Sequence, residues 1–125
     1  MASLDEYFGV SGTALKLRAQ RLDMIASNIA NAGTPGYKAR DLDFGAALKS
    51  ASDDLTRSNP LHMTAARGGG AQAGYRIPHE ASLDGNTVEL ATEQVAFSEN
   101  SVRYEATLDI LNGRISTMMS ALRGE

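Results

Sequence analysis

Leu90, Phe97, Tyr104, Leu111 and Met118 lie seven residues apart, and Leu108, Ile115 and Leu122 form a second series four residues on from Tyr104. From Tyr104 onward the apolar spacing is 4-3-4-3-4. That alternation is the mark of a helix with a narrow coiled-coil seam, and few folds satisfy it. Asn86 and Glu89 read as a capping box, and Glu89 and Glu93 suit an electropositive first turn, so the spacing predicts a helix over 87–122. Gln94 and Ser101 stand where the seam would be apolar, which predicts looser or wetter packing in its first half. Asn112-Gly113 costs about 1 kcal/mol relative to Ala, yet the stripe continues in phase beyond it and the helix reads through.

Length turns this helix into a constraint on the whole chain. About 36 residues at 1.5 Å each span ~54 Å. A compact body of 125 residues has a radius of gyration near ~14 Å and is under ~40 Å across. The helix therefore overhangs any compact body the chain can make. The six seam residues from Tyr104 to Leu122 are worth roughly 1.5–3 kcal/mol each when fully buried. Left bare, they are a hazard for association. The chain asks for a helix of its own along part of this stripe and for other chains elsewhere.

A second helix supplies the intramolecular part. Phe8, Leu15, Leu22 and Ile29 are also seven apart, with Ala19, Ile25 and Ala26 beside them and Lys16, Arg18, Gln20, Arg21 and Asp23 mostly on other faces. The pattern predicts a helix over 13–31; Gly9 and Gly12 weaken the interval back to Phe8. Asn31-Ala32-Gly33 reads as its stop, with Gly33 left-handed and with Asn28 and Asn31 satisfying helix-end carbonyls. Thr34-Pro35-Gly36-Tyr37 fits a type II turn. Residues 40–86 carry no sustained period; Phe44–Leu55 predicts a short helix, and the Gly run at 68–70 predicts flexibility. The expected fold class is mainly α, with long N- and C-terminal helices pairing as an elongated coiled-coil hairpin around a loop-rich middle. Its segments are 1–39, 40–85 and 86–125.

Chemistry is hard to find. The chain has no Cys, which removes disulfides, thiolate catalysis and Cys-based zinc sites. His62 and His79 have no metal-ligand spacing, and Asp53-Asp54 reads as a solvated face or cap. No nucleophile motif or phosphate loop is present, and GGGAQAG lacks the flanking strand and helix that would make it one. The formal net charge of -3 argues against nucleic acid as the main partner. Arg18, Arg21, Lys38 and Arg40 form a modest basic cluster, read as solubility and salt bridging to Asp or Glu of a neighbour. The first residues, MASLDEYFGVSG, lack the basic and apolar regions of a Sec signal, and no apolar run reaches ~18 residues. The expectation is a non-enzymatic chain with no catalytic, cofactor or metal site, and no direct membrane insertion.

AQRLDMIASNIANAGTPGYKARDLDF, residues 19–44, resembles the N-terminal signature of bacterial flagellar rod, hook and related axial proteins. DGNTVELATEQVAFSENSVRYEATLDILNGRISTMMSAL, residues 84–122, resembles the C-terminal helix of the proximal members of that family. The two stretches cover roughly half the chain. The resemblance implies a structural subunit of the basal-body rod, the drive shaft crossing the periplasm. Its subunits are synthesised in the cytoplasm and exported by the flagellar type III apparatus without a cleaved signal. The implied partners are further copies of the chain, other rod proteins (FlgC-like and FlgF-like), a FliE-like junction protein and the export gate.

On this resemblance the residues expected between subunits are Leu15, Leu22, Asn28, Ile29, Asn31, Pro35, Gly36, Tyr37, Lys38 and Arg40 in the first part. In the last part they are Leu90, Phe97, Tyr104, Leu108, Leu111, Ile115, Met118 and Leu122. Phe44 and Leu48 fit the Phe-xxx-hydrophobic form of an export-gate element, and burial of Phe44 in a local helix explains the same residues. Gly33, Gly113 and the Gly run at 68–70 depart from what the family leads one to expect. The alternative reading is a coiled-coil adaptor or export chaperone that stays in the cytoplasm. Cell fractionation separates the two, because a rod protein co-purifies with basal bodies.

Overall fold

The computed structural model describes residues 4–55 and 73–124, with side chains from 8 to 52 and from 73 to 124. The Gly run at 68–70 and His62 lie outside the described residues, as do the side chains of Asp53 and Asp54. The elements run α1 (Leu4–Ala30), β1 (Arg40–Leu42), α2 (Phe44–Leu55), β2 (Ala73–Tyr75) and α3 (Leu90–Arg123). The expected architecture holds: two long terminal helices pack against each other, and between them the described residues hold one short helix, two short strands and connecting loops. Among the described residues, no helix is long and apolar enough to cross a membrane.

The first helix begins well before the expected residue 13. Gly9 and Gly12 lie inside it, and each loses helix propensity of about 1 kcal/mol. Tertiary packing overrides that loss, because Ser11 and Ala14 are buried. The most buried line of α1 is Ser11, Ala14, Leu17, Ile25 and Asn28. The expected stripe of Leu15, Leu22 and Ile29 flanks this line and is half-buried. The helix also ends differently. Gly33 is not left-handed; among the described residues the glycines with positive φ are Gly36, Gly85 and Gly124. Instead the last turn tightens, with Asn31 N–H shared between the Ser27 and Asn28 carbonyls and Ala32 N–H donating to Ile29. Asn31 closes the helix as expected, its amide donating to Ser27 O at 2.8 Å. The type II turn forms, with Gly36 at φ 73° and Tyr37 N–H on Thr34 O at 3.2 Å.

The middle holds two short strands that no alternation in the sequence announces. They pair antiparallel with Arg40 opposite Tyr75, Asp41 opposite Gly74 and Leu42 opposite Ala73. The expected short helix is α2, Phe44–Leu55. Asp43 caps it, its Oδ1 accepting Ala46 N–H at 3.0 Å.

Helix α3 starts at Leu90 rather than at 87, and the capping box does not form. Glu89 is the cap position and makes no side-chain cap bond. Asn86 is committed elsewhere, and Glu89 Oε1 accepts the backbone N–H of His79 at 3.0 Å. Gly113 lies within the helix as expected, which closes on Gly124 at φ 77° with its N–H on Ser120 O. At 34 residues α3 is ~51 Å long. The 27 residues of α1 make a helix of ~40 Å, so the early start of α1 lets it follow α3 over more of its length than expected.

The core between them is small and polar. Among the described residues the buried apolar ones are Ala14, Leu17 and Ile25 on α1, with Ala39 and Leu42 beside them at β1. The largest fully buried side chains are Ile25, Glu93, Asn28 and Asn100, so three of these four are polar. The first half of the α3 seam is thus polar as expected, but Glu93 and Asn100 carry it rather than Gln94 and Ser101. Tyr104, Leu108, Leu111 and Met118 are half-buried. Leu90, Phe97, Ile115 and Leu122 face outward, with Leu122 82% exposed. One heptad pattern therefore serves two surfaces. A Cβ on Gly113 would meet nothing within 4 Å. Gly113→Ala is expected to stabilise the chain by about 1 kcal/mol, read as a raised urea midpoint with unchanged slope.

Candidate functional site

The residues that break the helical pattern after α1 meet the loop that precedes α3. Gly36 N–H donates to Asp84 O at 2.9 Å, and Thr87 N–H donates to Tyr37 O at 3.0 Å. Ala39 N–H reaches Thr87 Oγ1 at 2.8 Å, and Lys38 Nζ reaches Gly85 O at 2.7 Å. Asn86 is the centre of this junction. Its Nδ2 lies 2.9 Å from each of the carbonyls of Asn31, Ala32 and Thr34, and its Oδ1 accepts Val88 N–H at 2.8 Å. One buried amide thus gathers three carbonyls of a helix end and a turn, of which Asn31 O and Thr34 O also accept the backbone N–H of Thr34 and Tyr37. Asp84 holds the loop from the other side. Its carboxyl is pulled below the usual carboxylate range by the Asn86 N–H and then by the Ser82 hydroxyl.

A second cluster joins the strands to both long helices. Asn28 brackets the outer edge of β1: its Oδ1 accepts Arg40 N–H at 3.1 Å and its Nδ2 donates to Arg40 O at 2.7 Å. The same Nδ2 reaches Glu93 Oε2 at 3.3 Å. Asn28 therefore ties β1 and α3 to α1, and does not satisfy helix-end carbonyls. Arg21 forks onto Asp41 through Nε at 2.9 Å and Nη2 at 3.1 Å. Arg76 reaches Asp41 Oδ2 at 2.7 Å through Nη2 and Glu93 Oε1 through Nη1. Burial alone would raise the Asp41 pKa. The hydrogen bonds from Arg21, Arg76 and Leu42 N–H outweigh it and hold the carboxyl below its ordinary value. Arg21 is shifted up in return, chiefly by that hydrogen bond to Asp41.

Further along the hairpin, Arg18 connects all three helices. Its guanidinium lies 4.1 Å from the centroid of the Phe44 ring, its Nε donates to Thr107 Oγ1 at 3.1 Å, and its carbonyl accepts Asn100 Nδ2 at 2.9 Å. Burial, then the charges of Arg103 and Arg21, lower its pKa. The basic cluster read from the sequence is thus largely spent within the chain: Arg18 on Phe44 and Thr107, Arg21 on Asp41, Lys38 on a carbonyl. Arg40 is exposed and held by its backbone.

The sequence-predicted residues divide accordingly. Asn28 is buried and Asn31 half-buried, both bonded within the chain. Pro35, Gly36, Lys38 and Arg40 are exposed. Tyr37 is half-buried, its hydroxyl 3.1 Å from Ser27 Oγ. Phe44 and Leu48 are half-buried on α2. His79 is exposed, and no acidic or His cluster suited to a metal occurs among the described residues. Arg76, Asp41, Glu93 and Asn100 were missed as a set. The available signal was Glu93 and Asn100, polar and seven apart, on a helix otherwise read by its apolar residues.

The junction unites the two stretches that carried the resemblance, and the comparisons agree with it. The family model described as flagella basal body rod protein matches residues 8–38. The chain is 49% identical to the flagellar basal body rod protein FlgB of Cereibacter sphaeroides (strain ATCC 17029 / ATH 2.4.9), over 100% of both chains. It is 44% identical to FlgB of Escherichia coli (strain K12), over 96% of this chain and 95% of that one. With FlgB of Salmonella typhimurium the identity is 39%, over 97% and 96%. The chain belongs to the FlgB family of flagellar basal-body rod proteins. It is a structural subunit of the proximal rod in the flagellar basal body. In this FlgB-family chain the signature residues are first of all partners of one another.

Two outcomes follow from the geometry. Asn86→Ala leaves Ala32 O without its donor and takes the second donor from Asn31 O and Thr34 O, and is expected to destabilise the chain by about 2 kcal/mol in urea unfolding. Asp41 has a folded pKa below its unfolded value of about 3.9. Its contribution is therefore present above that value and lost as pH falls through the folded pKa. Asp41→Asn is expected to lower the thermal midpoint at pH 7 and to flatten its decline between about pH 4 and pH 2, measured by circular dichroism.

Proposed function

We propose that this chain enters the rod by laying the outward-facing apolar residues of its long helices against neighbouring subunits, with the exposed signature turn completing the contact. The observation that carries this reading is the split of the α3 seam. Tyr104, Leu108, Leu111 and Met118 are half-buried, while Leu90, Phe97, Ile115 and Leu122 project from the hairpin. Val95 and Val102, also well exposed, extend the apolar surface of α3. Apolar surface of this extent on an elongated hairpin favours association. In the first helix Leu15, Leu22 and Ile29 border the buried line and serve both surfaces. Pro35, Gly36, Lys38 and Arg40 form the exposed side of the junction, with Tyr37 half-buried among them, and a neighbour meets there a shape already fixed from behind by Asn86.

The partners on this reading are copies of the chain, FlgC-like and FlgF-like rod proteins, and a FliE-like junction protein beside the export gate. The chain reaches them through the flagellar type III apparatus without a cleaved signal. Phe44 and Leu48 serve as the export-gate element while the chain is unfolded, since in the folded chain Phe44 stacks beneath Arg18.

Ile115→Asp tests the seam, because Ile115 is 40% exposed and its loss spares the half-buried residues. The variant is expected to be exported at the normal level yet to be absent from purified basal bodies, leaving cells non-motile. Normal motility and normal incorporation would sink the seam reading.

A further inference from the structure

Glu93 is fully buried, at 0% exposure, on the face of α3 that meets α1. The long helices themselves offer it one partner, the amide of Asn28 at 3.3 Å. Closing two helices over a carboxylate with a single neutral donor is unfavourable, because a buried charge needs a counter-charge. The counter-charge is Arg76, which belongs to neither helix. It follows β2 directly, and strand pairing fixes its position: Arg76 N–H donates to Ala39 O at 2.9 Å, beside the Arg40–Tyr75 pair. The other end of its guanidinium rests on Asp41, which Arg21 of α1 already engages. The four charges Arg21, Asp41, Arg76 and Glu93 thus sum to zero only when β2 is docked. With β2 away, Arg21 and Asp41 still pair directly, and Glu93 loses its contact ion partner and keeps only the more distant charge of Arg21.

We infer that the segment carrying β2 and Arg76 is a strap that licenses closure of the hairpin: α1 and α3 pair at their Asn28–Glu93 end only when Arg76 is seated. The dependence is local. Further down the hairpin the facing residues are Arg18, Asn100, Thr107 and the half-buried Tyr104, Leu108 and Leu111, and none of these contacts runs through Arg76. Closure is therefore conditional at one end and unconditional at the other. The device acts within a single chain and stands apart from how chains assemble.

The test is hydrogen exchange of the purified full-length chain, read by mass spectrometry in peptides over 18–28, 90–100 and 104–118. Arg76→Met is expected to lower protection at 90–100 by about 10²–10³-fold, the scale for stranding one member of a buried ion pair. Protection at 104–118 is expected to fall at least tenfold less. Glu93→Gln decides the mechanism by its sign. In the otherwise unchanged chain it removes a paired carboxylate and is expected to lower protection at 90–100. On top of Arg76→Met it removes the stranded charge and is expected to raise protection there tenfold or more. If Glu93→Gln lowers protection in both backgrounds, or if Arg76→Met lowers it evenly along both helices, the strap is only one more stabilising contact and the inference fails. Should Arg76→Met be unfolded, the double variant answers the same question: recovery of helical circular dichroism supports the strap, and an equally unfolded double variant overturns it.

Discussion

Among the described residues the two long helices bury only three apolar side chains, Ala14, Leu17 and Ile25, too few to hold helices of this length together, and the pairing of Asn28 with Glu93 and the Arg40 backbone supplies what the core lacks. Asn28 offers both faces of its amide to β1 as a neighbouring strand would, and its remaining contact crosses to α3. Removing that amide would open the edge of β1, free Arg40 and leave Glu93 with Arg76 alone. A buried polar network of this kind specifies a single arrangement more sharply than an oily seam does, because a one-residue slip of either helix strands several polar groups at once. The same network fixes the register at which every half-buried residue further down the hairpin meets its neighbour.

Much of this was legible in the sequence, and for identifiable reasons. The long helices announce themselves because apolar residues seven apart fit little else, and α3 overrides Gly113 because the stripe stays in phase on both sides of it. The turn at Pro35-Gly36 is likewise dictated locally. The first turn of α3 was misjudged because a side chain that suits a local cap can be claimed by a distant segment: Asn86 left the capping position to collect carbonyls more than fifty residues away in sequence. The start of α1 was misjudged for another reason, the burial of Ser11 and Ala14, which outweighs the propensity lost at Gly9 and Gly12. The strands escaped notice because three residues cannot show a period. Arg76 escaped because its role depends on Glu93, which the apolar pattern passes over.

The heptads illustrate how one periodic signal can be divided between two duties. A seam wide enough to be buried entirely would leave a closed hairpin with nothing to offer a neighbour. Here polar residues take the innermost positions, which shifts the large apolar ones toward the rim. Phe97 and Ile115 are neither core nor free surface; each is about two-fifths exposed. The junction shows the complementary division, since its backbone and amides face inward and Pro35, Lys38 and Arg40 are left outside.

The antiparallel course of the two long helices has an electrical consequence as well. The partially negative end of α1 sits beside the partially positive end of α3, so their macrodipoles largely cancel within one chain. Single helices aligned in the same direction in a bundle repel one another at their like-charged ends. Hairpins built this way can be set side by side, all pointing the same way, without accumulating that repulsion. Direction in an ordered array of such chains can then be set by shape and by apolar contact, with little field to oppose it.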